Sequence, residues 1–196
     1  MPKLYGAIDD TNNLEYLAFV VGDEEAFKTN LKHLPRGFTH MTNMSGKYEK
    51  KDLLKKFNFD GNIQVCCVKF GLYELKSTIQ SALAAANNLN MASKKINARI
   101  SYEMASDIKR LYTDFVIKNG LDITKIEFEI DNQNVLRYLK DGGLRFRQRS
   151  EYHKIADCIS HANGHGFRLG NNVLEEGESF KNEFHNRVVK RLIKQK

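Results

Sequence analysis

Cysteine is scarce in this sequence of 196 residues, and its pattern excludes a fold held together by disulfides. The three cysteines are Cys66, Cys67 and Cys158, which form neither a CxxC pair nor a disulfide framework. Cys66 and Cys67 are neighbours on a predicted strand, so their side chains point to opposite faces. Because structural disulfides are typical of oxidising compartments, we expect this protein to be cytoplasmic.

Long hydrophobic runs are also lacking. No apolar stretch approaches the length of about 20 residues that a membrane-spanning helix needs. Residues 1–5 do not resemble a secretory signal peptide, and the chain contains no internal repeat or low-complexity linker. We therefore expect a single soluble domain over residues 1–196, with no membrane partner and a core of ordinary size.

The charge of the chain is unbalanced toward the basic side. It has 31 lysines and arginines and 24 aspartates and glutamates, which gives a formal net charge of +7. An excess of this size favours a polyanionic partner without establishing one. The basic residues gather at 47–56, 94–99 and 137–154 and along the last predicted helix, whereas acidic residues occur singly at the ends of apolar strands.

Hydrophobic patterning predicts strands mixed with helices. Apolar segments bounded by turn formers indicate strands at 4–8, 14–22, 62–70 and 125–130. Helical spacing indicates helices at 23–34, 47–57, 73–87, 94–119, 133–140, 150–162 and about 178–195. The first two strands are close enough to form an antiparallel hairpin, and 164–177 is a predicted loop. This order is typical of an α/β fold in which helices flank a mixed β-sheet.

Three aspartates have positions that surface solvation alone explains poorly. Asp9 and Asp131 each close an apolar strand, and Asp157 lies inside the mostly apolar helical segment Ile-Ala-Asp-Cys-Ile. If Asp9 and Asp131 lie on adjacent strands, their carboxylates converge at the same end of the sheet. A helix that packs across that end can bring Asp157 to meet them. An ionised carboxylate that is half-buried in this way needs a cation or hydrogen bonds.

Converged carboxylates predict a metal site. Three or four acids without a matching arginine or lysine repel one another, and Mg²⁺ or Mn²⁺ resolves the conflict because both ions prefer oxygen ligands. Two such ions about 4 Å apart activate a water molecule and stabilise the leaving oxygen in phosphodiester hydrolysis. A basic surface around such a centre would hold the nucleic-acid backbone. An acidic centre with a basic rim therefore favours a nuclease.

Simpler roles are open to each aspartate taken alone. Asp131 with Asn132 after it is also an ordinary helix cap, and an aspartate that follows a strand is commonly a turn former. Asp9 needs this explanation less, because Asp10 and Thr11 already supply turn residues. Taken as a set, the three aspartates favour metal binding over these local roles.

Three histidines accompany the third aspartate. His153 and His161 flank Asp157 on the same predicted helix, and His165 follows them. They could assist proton transfer or metal binding at the predicted site. Single histidines more often lie at surfaces or make structural hydrogen bonds, so this interpretation stays secondary.

The segment Ile-Asp-Asp-Thr at residues 8–11 resembles the Asp-Glu-Ser-Gly opening of a broad prokaryotic family of uncharacterised RNase H-like proteins. As in that family, a second strand follows closely, and a helix and a short segment that contains His40 come next. The strand that ends at Asp131 fills the intervening acidic position. The later Lys-Ile-Ala-Asp-Cys-Ile segment looks like the family's Ala-Asp helix, with Asp157 as its acid.

The likeness spans about residues 3–165 and departs from the family at two positions, where Asp10 replaces Glu and Asn12 replaces Gly. It implies an RNase H-like fold and a DEDD-like acidic site in which the three aspartates are the metal ligands. The wider superfamily contains metal-dependent enzymes that act on nucleic acid. A fourth acid is then expected, and the candidates are Glu74, just after the third strand, and Glu103, on the long helix.

Two basic segments are candidate contacts for a partner. Arg145, Arg147 and Arg149 alternate, so on an extended segment they project together, which suits contact with phosphates. Charges in this pattern also protect an exposed edge strand from aggregation. The C-terminal helix has one apolar stripe and is otherwise largely basic, so it is a candidate for binding nucleic acid, for forming a homodimer, or for simple packing on the core. The stripe consists of Phe180, Phe184, Val188 and Leu192.

The sequence thus predicts a metal-dependent nuclease that uses Mg²⁺ or Mn²⁺. Its expected metal ligands are Asp9, Asp131 and Asp157, and either Glu74 or Glu103 completes the catalytic set. One alternative is a nucleic-acid-binding module that has the fold without the chemistry. Another is a protein-interaction domain that dimerises through its C-terminal helix.

Overall fold

The computed structural model describes residues 3–11, 14–59, 61–86, 91–113, 117, 125–131, 133–147, 151–167 and 173–194. These residues form six strands, which are Leu4–Thr11 (β1), Tyr16–Asp23 (β2), Ile63–Lys69 (β3), Glu127–Ile130 (β4), Arg145–Arg147 (β5) and Val173–Glu176 (β6). They also form seven α-helices, which are Glu24–Leu31 (α1), Lys47–Lys56 (α2), Leu72–Ala85 (α3), Ser93–Leu111 (α4), Gln133–Leu139 (α5), His153–Gly164 (α6) and Glu178–Ile193 (α7). Short 3₁₀ turns lie at Met41–Asn43 and Lys140–Gly142.

A mixed sheet joins the six described strands in the order β5-β4-β1-β2-β3-β6. Strand β2 is antiparallel to β1 and β3, whereas the pairs β1 with β4, β4 with β5, and β3 with β6 are parallel. The predicted β1–β2 hairpin is confirmed, with Thr11 opposite Tyr16 at its closed end. Helices cover both faces of this sheet, so the α/β fold expected from the sequence is confirmed.

The strands bury both of their faces because neighbouring residues alternate between two cores. Ile8 and Phe19 point to the side covered by α3, α4 and α7, where Met104 and Phe184 pack against them. Ala7 points to the other side, which α1 and α6 cover. Residues of odd number near the end of β1 therefore face α6, and this side carries the candidate site.

The last strand of the sheet differs from the sequence expectation. The predicted loop at 164–177 contains β6, in which Val173 pairs with Val65 of β3. The side chains of β6 are exposed or only partly buried, so it lacks the apolar signature by which an interior strand is recognised. The part of the predicted helix 94–119 beyond residue 113 lies largely outside the described residues.

Helix α7 packs its apolar stripe against the core of its own molecule. All four residues of the stripe, Phe180, Phe184, Val188 and Leu192, are buried there. The stripe is therefore not available as a homodimer surface, which corrects that alternative. Much of the basic side of α7 is also used internally, because Lys181 pairs with Glu74 and Arg187 pairs with Glu103.

The described helices include none that is both long enough and apolar enough to cross a bilayer. The three cysteines are buried and carry free thiols. Burial in the sheet raises the pKa of Cys66 and of Cys67 to about 12, so these thiols stay protonated near neutral pH.

Candidate functional site

Two of the three predicted aspartates lie side by side at one end of the sheet. Strands β1 and β4 are parallel neighbours, and Ile8 of β1 lies opposite Ile130 of β4. Asp9 is the next residue of β1 and Asp131 is the first residue after β4, and both follow a residue that faces the α4 and α7 side. Strand alternation therefore turns both carboxylates toward α6.

Helix α6 brings the third aspartate to the same place. The helix packs across β1 and β2, and Ile155 and Ile159 anchor it in the core on that side. Asp157 lies between these anchors and is only 7% exposed. Its Oδ2 accepts a hydrogen bond of 2.6 Å from the backbone N–H of Met41, which fixes one oxygen and orients the carboxylate.

The three aspartates line one open pocket of about 460 Å³, which we call the carboxylate pocket. Its described lining residues are Asp9, Asp10, Thr11, His40, Thr42, Asp131, Asp157, His161 and His165. The structure thus brings together Asp9, Asp131 and Asp157 as the sequence pattern required. The described lining residues include no lysine or arginine.

His40 lies between two of the aspartates. Its Nε2 is 3.7 Å from Asp131 Oδ2, and its Nδ1 is 3.7 Å from Asp157 Oδ1. The side chain is 40% exposed, so it forms part of the wall of the pocket rather than part of the core. Only the resemblance to the RNase H-like family pointed to His40, since a single histidine in a short loop carries no periodic signal.

The carboxyls of Asp9 and Asp157 are close enough to share a hydrogen bond. Burial, and then the charge of Asp157, raise the pKa of Asp9 from 3.8 to about 8. Burial also raises the pKa of Asp157, although the Met41 N–H and His40 oppose this shift. Near neutral pH, and with no cation bound, the carboxyl of Asp9 therefore stays protonated. Its O–H donates a hydrogen bond to the carboxylate of Asp157.

Asp10 also lines the carboxylate pocket, but its side chain has a second, local role in the turn after β1. Its Oδ2 accepts a hydrogen bond of 3.2 Å from the backbone N–H of Leu14, across the β1–β2 turn. Leu14 has a positive φ of 68°, a strained backbone conformation that this contact helps to hold. The strand alternation that turns Asp9 toward α6 thus leaves Asp10 as the turn residue of the pair.

Glu74 and Glu103, the two candidates for a fourth acid, lie elsewhere, and the structure does not bring either to the carboxylate pocket. Glu74 is at the start of α3, where its carboxylate is 2.7 Å from Lys181 Nζ. Glu103 is buried on the α4 side of the sheet and accepts from Arg187 Nε at 3.0 Å. Arg191 Nη1 lies 3.1 Å from the same carboxylate. Both acids therefore dock α7 rather than complete the cluster.

One of the three arginines that were expected to contact phosphates, Arg147, is paired inside the protein instead. Arg147 donates to Glu129 Oε2 at 3.0 Å, and its guanidinium lies 4.7 Å from the ring centres of Tyr5 and Tyr152. The side chain of Glu129 is fully buried, and an ionised buried carboxylate requires a cation nearby. The guanidinium of Arg147 is therefore used as the partner of Glu129. Arg145 is exposed on β5, and Arg149 lies outside the described residues.

A buried Glu129–His153 pair lies directly behind the carboxylate pocket, and sequence reasoning missed it. Glu129 is on β4, two residues before Asp131, and His153 is one helical turn before Asp157 on α6. His153 Nδ1 lies 2.8 Å from Glu129 Oε1, and both side chains are buried. The alternation of the strand Glu-Phe-Glu-Ile, which places two acids on one face, was the available signal.

His161 and Lys50 connect the pocket to helix α2. Lys50 Nζ lies 3.3 Å from His161 Nε2. Burial first, and then the charge of Lys50, lower the pKa of His161 to about 4, so this imidazole is neutral at physiological pH. His165 packs against it, with 4.2 Å between the ring centres.

The carboxylate oxygens of the pocket's described lining residues are of the type that a hard divalent cation prefers, but they do not surround one common point. Within the described part of the chain, no group of three His, Cys, Asp or Glu side chains is arranged closely enough to hold a metal ion. What the pocket offers is carboxylate oxygens, the ligand type that Mg²⁺ and Mn²⁺ prefer.

Comparison with family models, with curated proteins and with solved structures returns no match. The site therefore has to be interpreted from the residues of this chain and their geometry. The likeness to RNase H-like proteins stays a hypothesis based on short motifs.

Proposed function

We propose that this protein is a metal-dependent nuclease of the RNase H-like kind, which hydrolyses phosphodiester bonds of DNA or RNA. The observation that carries the proposal is the convergence of Asp9, Asp131 and Asp157 on one open pocket. They come from two strands and a late helix, and folding alone gives no benefit from bringing buried carboxyls into contact. Unfavourable contacts of this type are typical of functional sites.

The order of the elements supports the RNase H-like part of the proposal. The acid of β1 is followed by β2, by the segment with His40, by the acid after β4 and by the acid of α6, as the resemblance implies. The mixed sheet with helices on both faces is compatible with that family. The strongest support comes from the carboxylate pocket. The four residues of the resemblance that meet there are Asp9, His40, Asp131 and Asp157.

Asp9, Asp131 and Asp157 would hold Mg²⁺ or Mn²⁺. When bound, such ions activate a water molecule and stabilise the leaving oxygen of a phosphodiester. The Met41 N–H keeps one oxygen of Asp157 in place, which leaves Oδ1 toward His40 and the pocket. Asp9 must release its proton before it can serve as a ligand, because metals bind the deprotonated carboxylate.

A cleavage assay tests this function. Labelled single- and double-stranded DNA and RNA are incubated with the protein in Mg²⁺, in Mn²⁺ or in EDTA. We expect cleavage that requires the metal and that falls by more than about 100-fold in Asp9→Asn, Asp131→Asn and Asp157→Asn. Glu74→Gln is the matched control, because it removes an acid that lies outside the pocket and should leave the rate unchanged.

Cleavage that persists in EDTA and in Asp9→Asn would overturn the metal-dependent mechanism. The second candidate is a nucleic-acid-binding module without hydrolysis. This candidate is favoured because, among the described residues, no three His, Cys, Asp or Glu side chains lie close enough together to hold an ion. Salt-sensitive binding without cleavage in either metal would support that module.

A further inference from the structure

A second pocket opens beside the carboxylate pocket, and its chemistry is the opposite. It has a volume of about 300 Å³ and is lined by Ser45, Lys47, Lys50, His161, His165 and Phe167, and we call it the lysine pocket. His161 and His165 also line the carboxylate pocket, so the two pockets share a wall. A ligand that leaves the carboxylate pocket along this wall enters the lysine pocket directly.

The lysine pocket is built for an anion. An ammonium group can only donate hydrogen bonds, so the contact of 3.3 Å shows that His161 Nε2 accepts from Lys50. This contact holds the Lys50 ammonium at the wall between the two pockets. Lys47 adds a second ammonium, and the described lining residues include no carboxylate. Glu49 is near, where it accepts a long hydrogen bond from Ser45, but it is exposed and does not line the pocket.

The first turn of α2 lies beside the lysine pocket and carries both unpaired amide dipoles and one acid. The helix begins at Lys47, and its cap residue Gly46 has no side chain that could satisfy the first amides. Free amides at a helix start favour a negative group nearby. Glu49 lies against Gly46 and offsets part of this potential, so the positive charge at the pocket comes mainly from Lys47 and Lys50.

Aromatic side chains accompany these cations. Phe167 is partly buried and lines the lysine pocket. Tyr48 follows Lys47 and is 84% exposed, the most exposed of the large hydrophobic residues described. Cations that track a backbone, with aromatic rings that can stack on bases, are the combination that single-stranded nucleic acid requires.

We infer that the lysine pocket binds the backbone phosphate of the nucleotide next to the one that lies at the carboxylate pocket, on a single strand of nucleic acid. The inference rests on the proposed function for its placement along the strand. The shared histidine wall carries the inference, because it joins a pocket lined by four carboxylates and a pocket lined by two ammonium groups into one continuous surface. The metal would take the phosphate that is cut, and Lys47 and Lys50 would take its neighbour.

Binding in EDTA tests this inference without depending on cleavage. A labelled single-stranded oligonucleotide is titrated with wild-type protein, with the double variant Lys47→Gln/Lys50→Gln and with the control Lys51→Gln/Lys55→Gln. The control removes the same charge from the same helix, outside the pocket. We expect the pocket variant to weaken binding about tenfold and to reduce the salt slope by about 1 for each lysine that contacts a phosphate. The control should keep most of the affinity.

Three results would overturn the inference. The first is an equal loss in the two double variants, which would show diffuse attraction to a basic helix. The second is no binding of the oligonucleotide to folded wild-type protein. The third is unchanged oligonucleotide binding in the pocket variant, with inorganic phosphate binding lost, which would make this a site for free phosphate. Recovery of binding in Lys47→Arg/Lys50→Arg would support phosphate contact, since charge returns with a different shape.

The same experiment separates the two proposals. Selective weakening by the pocket variant, in a protein that cleaves nothing in Mg²⁺ or Mn²⁺, would keep the phosphate site and remove the nuclease. Metal-dependent cleavage with unchanged KM and unchanged binding in the pocket variant would keep the nuclease and remove the phosphate site. Thermal melting of each variant confirms that it is folded, which we expect because Lys47 is exposed and Lys50 only partly buried.

Discussion

The imidazole of His153 and the carboxylate of Glu129 form a buried contact of 2.8 Å between α6 and β4. The carboxylate only accepts hydrogen bonds when it is ionised, so Nδ1 of the histidine donates. The same helix carries Asp157, and the same strand leads directly into Asp131, at the carboxylate pocket. The buried pair links the two elements that hold these candidate metal ligands, so we expect both of its members to act as positioning residues.

Loss of the His153 donor is expected to loosen the site as well as the fold. His153→Leu leaves Glu129 with one donor fewer, so we expect a decrease of about 1–3 kcal/mol in the free energy of unfolding. A weaker stabilisation by Mn²⁺ should accompany it, because Asp131 and Asp157 are then held less firmly. Chemical denaturation and melting with and without Mn²⁺ measure the two effects.

The variant His153→Asn separates positioning from simple packing. The amide nitrogen of asparagine can lie close to the place of Nδ1 and can donate to Glu129, so we expect part of the Mn²⁺ effect to return. If His153→Leu binds Mn²⁺ as well as the wild-type protein does, the Glu129–His153 pair has no influence on the site.

The raised pKa of Asp9 predicts how stability depends on pH in the metal-free protein. The folded state holds this proton up to about pH 8, whereas the unfolded chain loses it near 3.8. The folded state therefore binds more protons between these values, and the contribution of Asp9 to stability falls as the pH rises through this window. We expect denaturation in EDTA to show a less stable protein at pH 8 than at pH 5.

Replacement of Asp9 by asparagine should remove this dependence. From pH 5 to pH 8 we expect the stability of Asp9→Asn relative to the wild-type protein to rise by at most about 1.4 kcal/mol for each pH unit, because asparagine takes up no proton on folding. The two proteins should be closest in stability at the acidic end of this range. Asp52→Asn, at an exposed position on α2, is the control and should leave the pH profile unchanged. A wild-type profile that is flat from pH 5 to 8 would contradict the burial of Asp9.

Much of this site could be predicted because its aspartates end or interrupt apolar segments. Asp9 lies near the end of β1 and Asp131 directly follows β4, and parallel neighbours place their ends together. Asp157 is conspicuous because the residues around it in α6 are apolar. Each of these signals is local in sequence, and the strand pairing then adds the convergence.

The predictions that failed depend on partners that are distant in sequence. A buried glutamate on an amphipathic helix has the same local sequence pattern whether it binds a metal or an arginine. The sequence around Glu103 therefore could not predict that this residue pairs with Arg187. Arg147 likewise gave no sign of Glu129, since alternating arginines are equally typical of a phosphate contact and of a buried ion pair. Strand β6 was missed because it buries little apolar surface.

Metal affinity should depend on pH through the same proton on Asp9. The ion must displace this proton, so below pH 8 we expect the affinity for Mn²⁺ to rise about tenfold for each pH unit and then to level off. The rise in melting temperature at fixed Mn²⁺ concentration, measured from pH 6 to 9, reports it. Asp9→Asn should bind weakly and without this slope. An affinity that is constant over this range would show that Asp9 is not a ligand.

The ion pairs that hold α7 on the core allow a test that distinguishes residues needed for stability from residues needed for the carboxylate pocket. Arg187 pairs with both Glu103 and Asp107, and burial already raises the pKa of Asp107 against the opposing charge of Arg187. Arg187→Met leaves two buried acids with less compensation, and we expect a loss of about 2–3 kcal/mol, because Arg187 is itself partly exposed. Lys190→Met, at an exposed position of the same helix, is the control for the lost charge.

The triple variant Glu103→Gln/Asp107→Asn/Arg187→Met should recover much of that stability, because the buried charges leave together with their partner. Stabilisation by Mn²⁺ and metal-dependent cleavage should persist in this variant, since these residues lie on the other side of the sheet from the carboxylate pocket. Melting curves with and without Mn²⁺, together with the cleavage rate, distinguish the two roles. A folded Glu103→Gln variant of unchanged stability that has lost cleavage would instead return Glu103 to the catalytic set.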